Sequence, residues 1–317
     1  MCFTAVLGRV ISNFTELRCV AQPERPLRLG VVVADDEIAL SAAAEALHLG
    51  IAQPVLIGKQ AAVRAKLESL SLHELMTRAQ YFEAHDAARL AVDLARDGEL
   101  DVLLKGHLRT DELLHAVLDK ATGLRTGRVL SDVLLYEDKL AGATRLVGIS
   151  DGGLNVLPTL EQKKQIVQNA IAVMRCLGLA RPRIAIMSAT EAVSDSVPSS
   201  VDARRLTEMG QAGEFGEAEV FGPLALDCAL LASAAQEKDI QHPVAGHADC
   251  MIVPNIEAGN LLGKSVKYLG GSQCAHVVVG ARVPILIPSR VESVDDKVNS
   301  IALGVLFASS RVQSSRH

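Results

Sequence analysis

Residues 283–308 read VPILIPSRVESVDDKVNSIALGVLFA. Val283–Ile287 has the composition of a short apolar strand, and Pro288 breaks it before the polar loop Ser289-Arg290-Val291-Glu292. A helix is expected from Ser293, a natural N-cap. Val298, Ile301, Ala302, Val305 and Leu306 repeat behind it at helical spacing. Strand, polar loop and helix N-terminus in that order give parallel α/β proteins a place for an anion, because first-turn N–H groups and the helix dipole favour negative charge. The hydroxyl of Ser289, the guanidinium of Arg290 and the carboxylates of Asp295 and Asp296 are together enough to hold an anionic group and move a proton. A structural reading stands beside this one. Both aspartates can complement the helix dipole, with Asp296 at the N3 position of a capping box and Arg290 a solvated loop charge.

Upstream, the same punctuation recurs. Leu29–Ala34 and Pro54–Gly58 read as strands around an Ala-rich helix, and Asp35 and Asp36 follow the first of them. The strand Asp101–Lys105 runs into Gly106-His107-Leu108-Arg109-Thr110, with Thr110 as an N-cap and Gly106 open to close approach by a ligand. A Gly-punctuated loop, Thr122–Ser131, carries Arg125 and Arg128. Cationic, glycine-rich loops beside strand ends suit phosphate or carboxylate. Strands are expected at Val133–Tyr136, Leu146–Ile149, Arg183–Ser188, Asp249–Pro254 and His276–Val279, and Thr159 with Gln162 forms a capping box. Residues 190–222 read as loop plus helix.

Regular strand–helix alternation implies an α/β fold. Nearly half of the 317 residues are apolar, with no Trp and three Tyr, so the core is aliphatic, as buried parallel strands require. The polar shift near Ala141–Arg145 and a second crossing near Gly280 divide the chain into residues 1–144 with 280–317, and residues 145–279. With that division the loops holding His107, Arg128 and Ser289–Asp296 belong to one domain and converge on a cleft between the two.

A net charge of −5 without a basic run gives no nucleic-acid surface, and no apolar run reaches the length of a membrane span. Six scattered cysteines without a C-x-x-C suggest neither a disulfide framework nor zinc, and fit a reducing cytoplasm.

With these motifs set out, the chain resembles the phosphate acetyl/butyryltransferase family from about Leu29 to Ala308. The likeness rests on LLKGHLRTDELL (Leu103–Leu114), TGLRTGRVLS (Thr122–Ser131), SDGGLN (Ser150–Asn155), FGPLALDCAL (Phe221–Leu230), ADCMIVPNIEAGN (Ala248–Asn260) and IPSRVESVDDK (Ile287–Lys297), in the family's order. The resemblance implies two α/β domains around a cleft, similar to the isocitrate/isopropylmalate-dehydrogenase fold, in a homodimer. It implies transfer of an acyl group between coenzyme A and inorganic phosphate, both substrates, with no metal or other cofactor. Asp296 would take the thiol proton, Ser289 would donate to the oxyanion and Arg290 would hold the phosphoryl group. His107, Arg109, Arg125, Arg128, Ser131, Asn155, Asn255 and Glu257 are the further substrate-binding candidates. Two other readings use the same fold: a metal- and NAD-dependent dehydrogenase, and a non-catalytic acyl-CoA-binding protein.

Overall fold

The computed structural model describes residues 10–23, 25–140, 142–289 and 292–314. Arg290 and Val291 lie outside them. The described chain divides into two compact units.

The first unit comprises Thr15–Arg128 and the stretch from Ala275. Its strands are β1 (Leu27–Val32), β2 (Ala52–Gly58), β3 (Gln80–Glu83), β4 (Val102–Lys105), β10 (Cys274–Val279) and β11 (Ile285–Leu286). They lie in the order β3-β2-β1-β4-β11-β10. All pairs from β3 to β11 are parallel, and only β10 runs against its neighbour β11. The helices are α1 (Phe14–Val20), α2 (Glu37–His48), α3 (Gln60–Ser69), α4 (His73–Arg78), α5 (Ala87–Arg96), α6 (Thr110–Leu118) and α12 (Val294–Ser314).

Helix α12 is the centrepiece of this unit. Val298, Ile301, Ala302 and Val305 of its expected apolar stripe are fully buried, and so are the polar Asn299 and Ser300. A helix buried on more than one face needs internal partners for its polar groups. Arg18 Nε donates to Asn299 Oδ1 at 2.7 Å, and Ser300 Oγ accepts from the His276 amide at 2.9 Å. Gly304 seats the helix on the sheet: a Cβ there would meet Leu286 Cδ2 at 2.9 Å.

The second unit, within Val129–Cys274, holds β5 (Ser131–Asp138), β6 (Arg145–Ser150), β7 (Arg183–Met187), β8 (Glu219–Leu224) and β9 (Cys250–Ile252) in the order β5-β6-β9-β7-β8. Its helices are α7 (Leu160–Cys176), α8 (Pro198–Gln211), α9 (Leu226–Leu230), α10 (Ala232–Glu237) and α11 (Ile256–Lys264), the last running into a π-helical turn, Ser265–Leu269. β5 and β6 form an antiparallel hairpin, and the other pairs are parallel. The capping box of α7 forms as the sequence predicts, with both Thr159–Gln162 bonds made.

Several sequence expectations need correction. The polar shift near 141–145 falls within a β5–β6 hairpin, Asp138 pairing with Arg145, and contacts divide the chain after Arg128 and after Cys274 rather than near 144 and 280. β3 and β8 are strands that the sequence reading did not separate from neighbouring helix and loop. Thr110 is the first helical residue of α6; Arg109 occupies the N-cap position without a side-chain cap.

Candidate active site

In the first unit Leu104 of β4 lies opposite Leu286 of β11, so the loops that leave these parallel strands emerge side by side. The carboxyl edge of a parallel sheet is where such folds bind ligands. His107 and Ser289 stand on those two loops, and α12 begins just beyond the second.

Gly106 also has a packing task. Its N–H bonds to Val32 O at 2.9 Å, and a Cβ would overlap the carbonyl oxygens of Val32 and Val33. Its small size serves the neighbouring strand end, and the loop is thereby fixed to β1. His107 Nδ1 lies 3.3 Å from Asp35 Oδ1, with the imidazole largely exposed. Lys105 is buried, and its Nζ donates to Leu108 O at 3.3 Å. Arg109 turns to solvent and forms a two-pronged pair with Asp111 at 3.0 Å in each contact. The bonded guanidinium holds the Asp111 carboxyl below its ordinary value.

After β11 the loop folds on itself. Ser289 N donates to Glu292 Oε1 at 2.7 Å, and Glu292 N returns to Ser289 O at 3.2 Å. His276 Nε2, on β10, is 3.6 Å from the same carboxylate oxygen. The next turn is a second box. Ser293 Oγ donates to Asp296 Oδ2 at 2.6 Å, Ser293 N reaches the same oxygen at 3.3 Å, and Asp296 N points back to Ser293 Oγ at 3.2 Å. Asp296 is 0 % exposed. Its neighbour has another fate: Asp295 is an exposed carboxylate paired with Arg18 at 2.9 Å. Lys297 is also buried, its Nζ 3.7 Å from Asp36, which caps α2. A buried carboxylate, hydroxyls, two imidazoles and two buried lysines thus stand on and beside the ends of β1, β4 and β11.

Arg125 and Arg128 are elsewhere. Arg125 bridges Ala281, in the turn before β11, and Thr126 Oγ1 donates to Gly280 O at 2.5 Å. Arg311 Nη1 donates to Ala281 O at 2.9 Å, and burial, with the Arg128 charge second, lowers the Arg311 guanidinium from its ordinary value. Arg311 is about 22 Å along α12 from Asp296, at 1.5 Å per residue. The first unit therefore places these arginines at the amino edge of its sheet, apart from His107, Ser289 and Asp296.

The remaining candidates belong to the second unit. Antiparallel pairing of Leu134 with Ile149 brings the start of β5 to the end of β6. Ser131 is buried and accepts from Asn169 Nδ2 at 2.9 Å. Asp151 accepts the amides of Gly153, Leu154 and Asn155, and Asn155 Nδ2 donates both to it and to Leu130 O. Burial and the nearby Asp132 nevertheless push the Asp151 carboxyl above its ordinary value. Asn255 caps α11 by accepting from Ala258 N at 2.9 Å, and Glu257 stands exposed in the first turn. Asn155 and Asn255 thus have the turn- and helix-capping roles that such residues commonly take.

Residues beyond the sequence candidates also emerge. Glu292 has a sequence signal, since Ser289-x-x-Glu292 is itself a box pattern. His276 has none, because only the β10–β11 pairing brings it there. A set of possible metal ligands in the second unit, Glu191, Asp227 and Cys228, contains the ammonium of Lys238 at 3.0 and 3.4 Å from the two carboxylates. Cys250 and Cys274 are both buried, and burial pushes the Cys250 thiol far above its ordinary value, opposite to what a nucleophile needs. Among the described residues no helix is long and apolar enough to cross a membrane.

Phosphate acetyltransferase of Rhizobium meliloti is 40% identical over 304 residues, covering 95% of each chain. Phosphate butyryltransferase of Clostridium acetobutylicum is 34% identical over 307 residues, covering 95% of this chain and all of the relative. Among solved structures, a branched-chain phosphotransacylase from Enterococcus faecalis V583 superposes with a TM-score of 0.78 at 28% identity, over 89% of this chain and 99% of the other. The family model for phosphate acetyl/butaryl transferase matches residues 75–305, and with relatives this similar over nearly the full length, the chain belongs to that family.

Proposed function

We propose that the protein transfers a short acyl group between coenzyme A and inorganic phosphate: acyl-CoA + phosphate ⇌ acyl phosphate + CoA. Family membership supports the reaction class. The observation that carries the site is the wholly buried Asp296 at the start of α12, beside the loop of Ser289.

Towards acyl-CoA, the thiol of CoA gives its proton to Asp296 and the thiolate attacks the carbonyl of the acyl phosphate. A positioned base of this kind contributes about two to four orders of magnitude in rate. Ser289 donates to the oxyanion as the tetrahedral centre forms, and phosphate departs with the electron pair of the broken C–O bond. Arg290 holds the departing phosphate; its forked, permanently charged donors suit that anion. In reverse, phosphate attacks the thioester, and the leaving CoA sulfur recovers its proton from Asp296. Attack is direct, since the buried Cys250 and Cys274 lack the setting of an acyl-carrying thiol. His107 is read as a substrate contact.

The working enzyme is read as a cytoplasmic homodimer whose CoA and phosphate are substrates, without a further cofactor. The test is phosphate-dependent release of free thiol from acetyl-, butyryl- and isobutyryl-CoA in turn. Release establishes the transfer and ranks the acyl chains; absence of release with all three overturns the reading in favour of a non-catalytic binder.

A further inference from the structure

Three neighbouring strands of the first unit set three polar residues in a row. Val32 of β1 pairs with Lys105 of β4, and Leu104 of β4 pairs with Leu286 of β11. Asp35, His107 and Ser289 follow their strands onto one stretch of the carboxyl edge, with His107 in the middle. One carbonyl fixes two of them: Val33 O accepts both the Asp35 and the His107 amide at 3.0 Å. Val33 itself has φ at 55°, a left-handed conformation that strains a β-branched residue. Strain of this kind clusters at functional turns. Asp35 Oδ1 is sealed from solvent and accepts no hydrogen bond among the described residues, yet it stands 3.3 Å from His107 Nδ1. A buried polar oxygen calls for a donor, and an ionised carboxylate can only accept. Nδ1 is therefore the nitrogen that carries hydrogen towards Asp35, and Nε2 of the largely exposed ring is left for a ligand.

The protons of the reaction give this pair its task. An acyl phosphate dianion and a thiol yield a thioester and hydrogen phosphate dianion, so one proton passes from sulfur to phosphate. Asp296 serves the sulfur end. At the phosphate end, breaking the C–O bond without a proton would expel a phosphate trianion, a very poor leaving group. We propose that His107 Nε2 gives a proton to the departing phosphate oxygen as the C–O bond breaks, with Asp35 as the positioning residue that holds Nδ1–H. The electron pair of the C–O bond stays on that oxygen and takes up the proton. Asp296 gains one proton, His107 loses one, and exchange with water resets both. In reverse, Nε2 takes the proton of the phosphate hydroxyl, and Asp35 faces the imidazolium that forms. The proposal rests on the acyl-transfer reading above and turns His107 from a substrate contact into its acid and base.

Steady-state kinetics on the full chain with acetyl phosphate and CoA test it. His107→Gln and Asp35→Asn are each expected to lower kcat about a hundredfold, with KM for acetyl phosphate within about threefold. The double variant should fall no more than about threefold below His107→Gln, because both changes act through one ring. The monomethyl ester of acetyl phosphate expels methyl phosphate dianion without needing a proton. On that donor His107→Gln should keep kcat within about threefold of wild type. Circular dichroism separates these losses from misfolding, and if Asp35→Asn fails to fold, the two donors on His107→Gln decide. A near-normal kcat in His107→Gln, a rise in KM alone, or an equal loss on both donors overturns the proposal and leaves acyl transfer standing. A wild type that transfers no acyl group overturns the reading beneath it as well.

Discussion

The Ser293 hydroxyl donates to Asp296 Oδ2 across 2.6 Å, and Ser293 is exposed where Asp296 is wholly sealed from solvent. One contact thus closes a helix cap and links the buried carboxylate to the surface. The structural and catalytic readings of this turn coexist in the same atoms.

Removing the carboxylate charge separates its neighbours. Asp296→Asn is expected to lower kcat by about two to three orders of magnitude while KM stays within about threefold, because the proton is moved only on the way to the transition state. Asp295→Asn, which removes only a surface pair with Arg18, keeps turnover within about twofold. Steady-state kinetics on both variants checks this, and near-normal turnover in Asp296→Asn would remove the base assignment.

Ser293→Ala is expected to cost about 1 kcal/mol of stability as a lost N-cap. It should also lower kcat several-fold, since Asp296 loses the hydroxyl that orients its carboxylate. Ser293→Thr should recover both. A variant that melts earlier yet keeps the wild-type kcat would reduce Ser293 to a cap.

Gly259→Ala sets a methyl group against the backbone of Gly152, where no side chain can swing aside. Overpacking of this kind destabilises by about 1–3 kcal/mol, readable as a shift in the urea midpoint. An unchanged midpoint would mean that α11 is not seated on the Gly152 turn.

Asp151 offers a pH test. Its carboxyl is raised by burial and by Asp132, so the folded state binds the proton more tightly than the unfolded chain does. The stability it contributes is complete below the unfolded carboxyl range and is lost as pH rises through the folded value. Denaturation of wild type and Asp151→Asn across that interval should show the difference moving in favour of the variant as pH rises; movement in the opposite direction would contradict the assigned cause.

Much of this was readable from residue order. The box at Thr159–Gln162 and the stripe on α12 follow from spacing alone, and both form as expected. β3 escaped because Gln80–Glu83 is a short edge strand, half-buried at best, without the apolar run that marks a central strand. β8 escaped because Gly222 and Pro223, ordinary signs of a break, lie within it. In the site, Ser289 and Asp296 could be named because they are near in sequence. His276 could not, because strand order rather than spacing brings it in. Arg125 and Arg128 show the converse: a persuasive cationic loop sits at the other edge of the sheet.

β11 lies between β4 and β10, yet it follows the whole second unit in the chain. On the ribosome, residues 129–274 can therefore fold while the first unit still lacks an inner strand and the helix bearing Asp296. Nascent chains interrupted before Ile285 would hold β4 with one edge bare and no proton acceptor. Such fragments would be inert and adhesive, marked for quality control, and acyl transfer would begin only after the final helix had been translated.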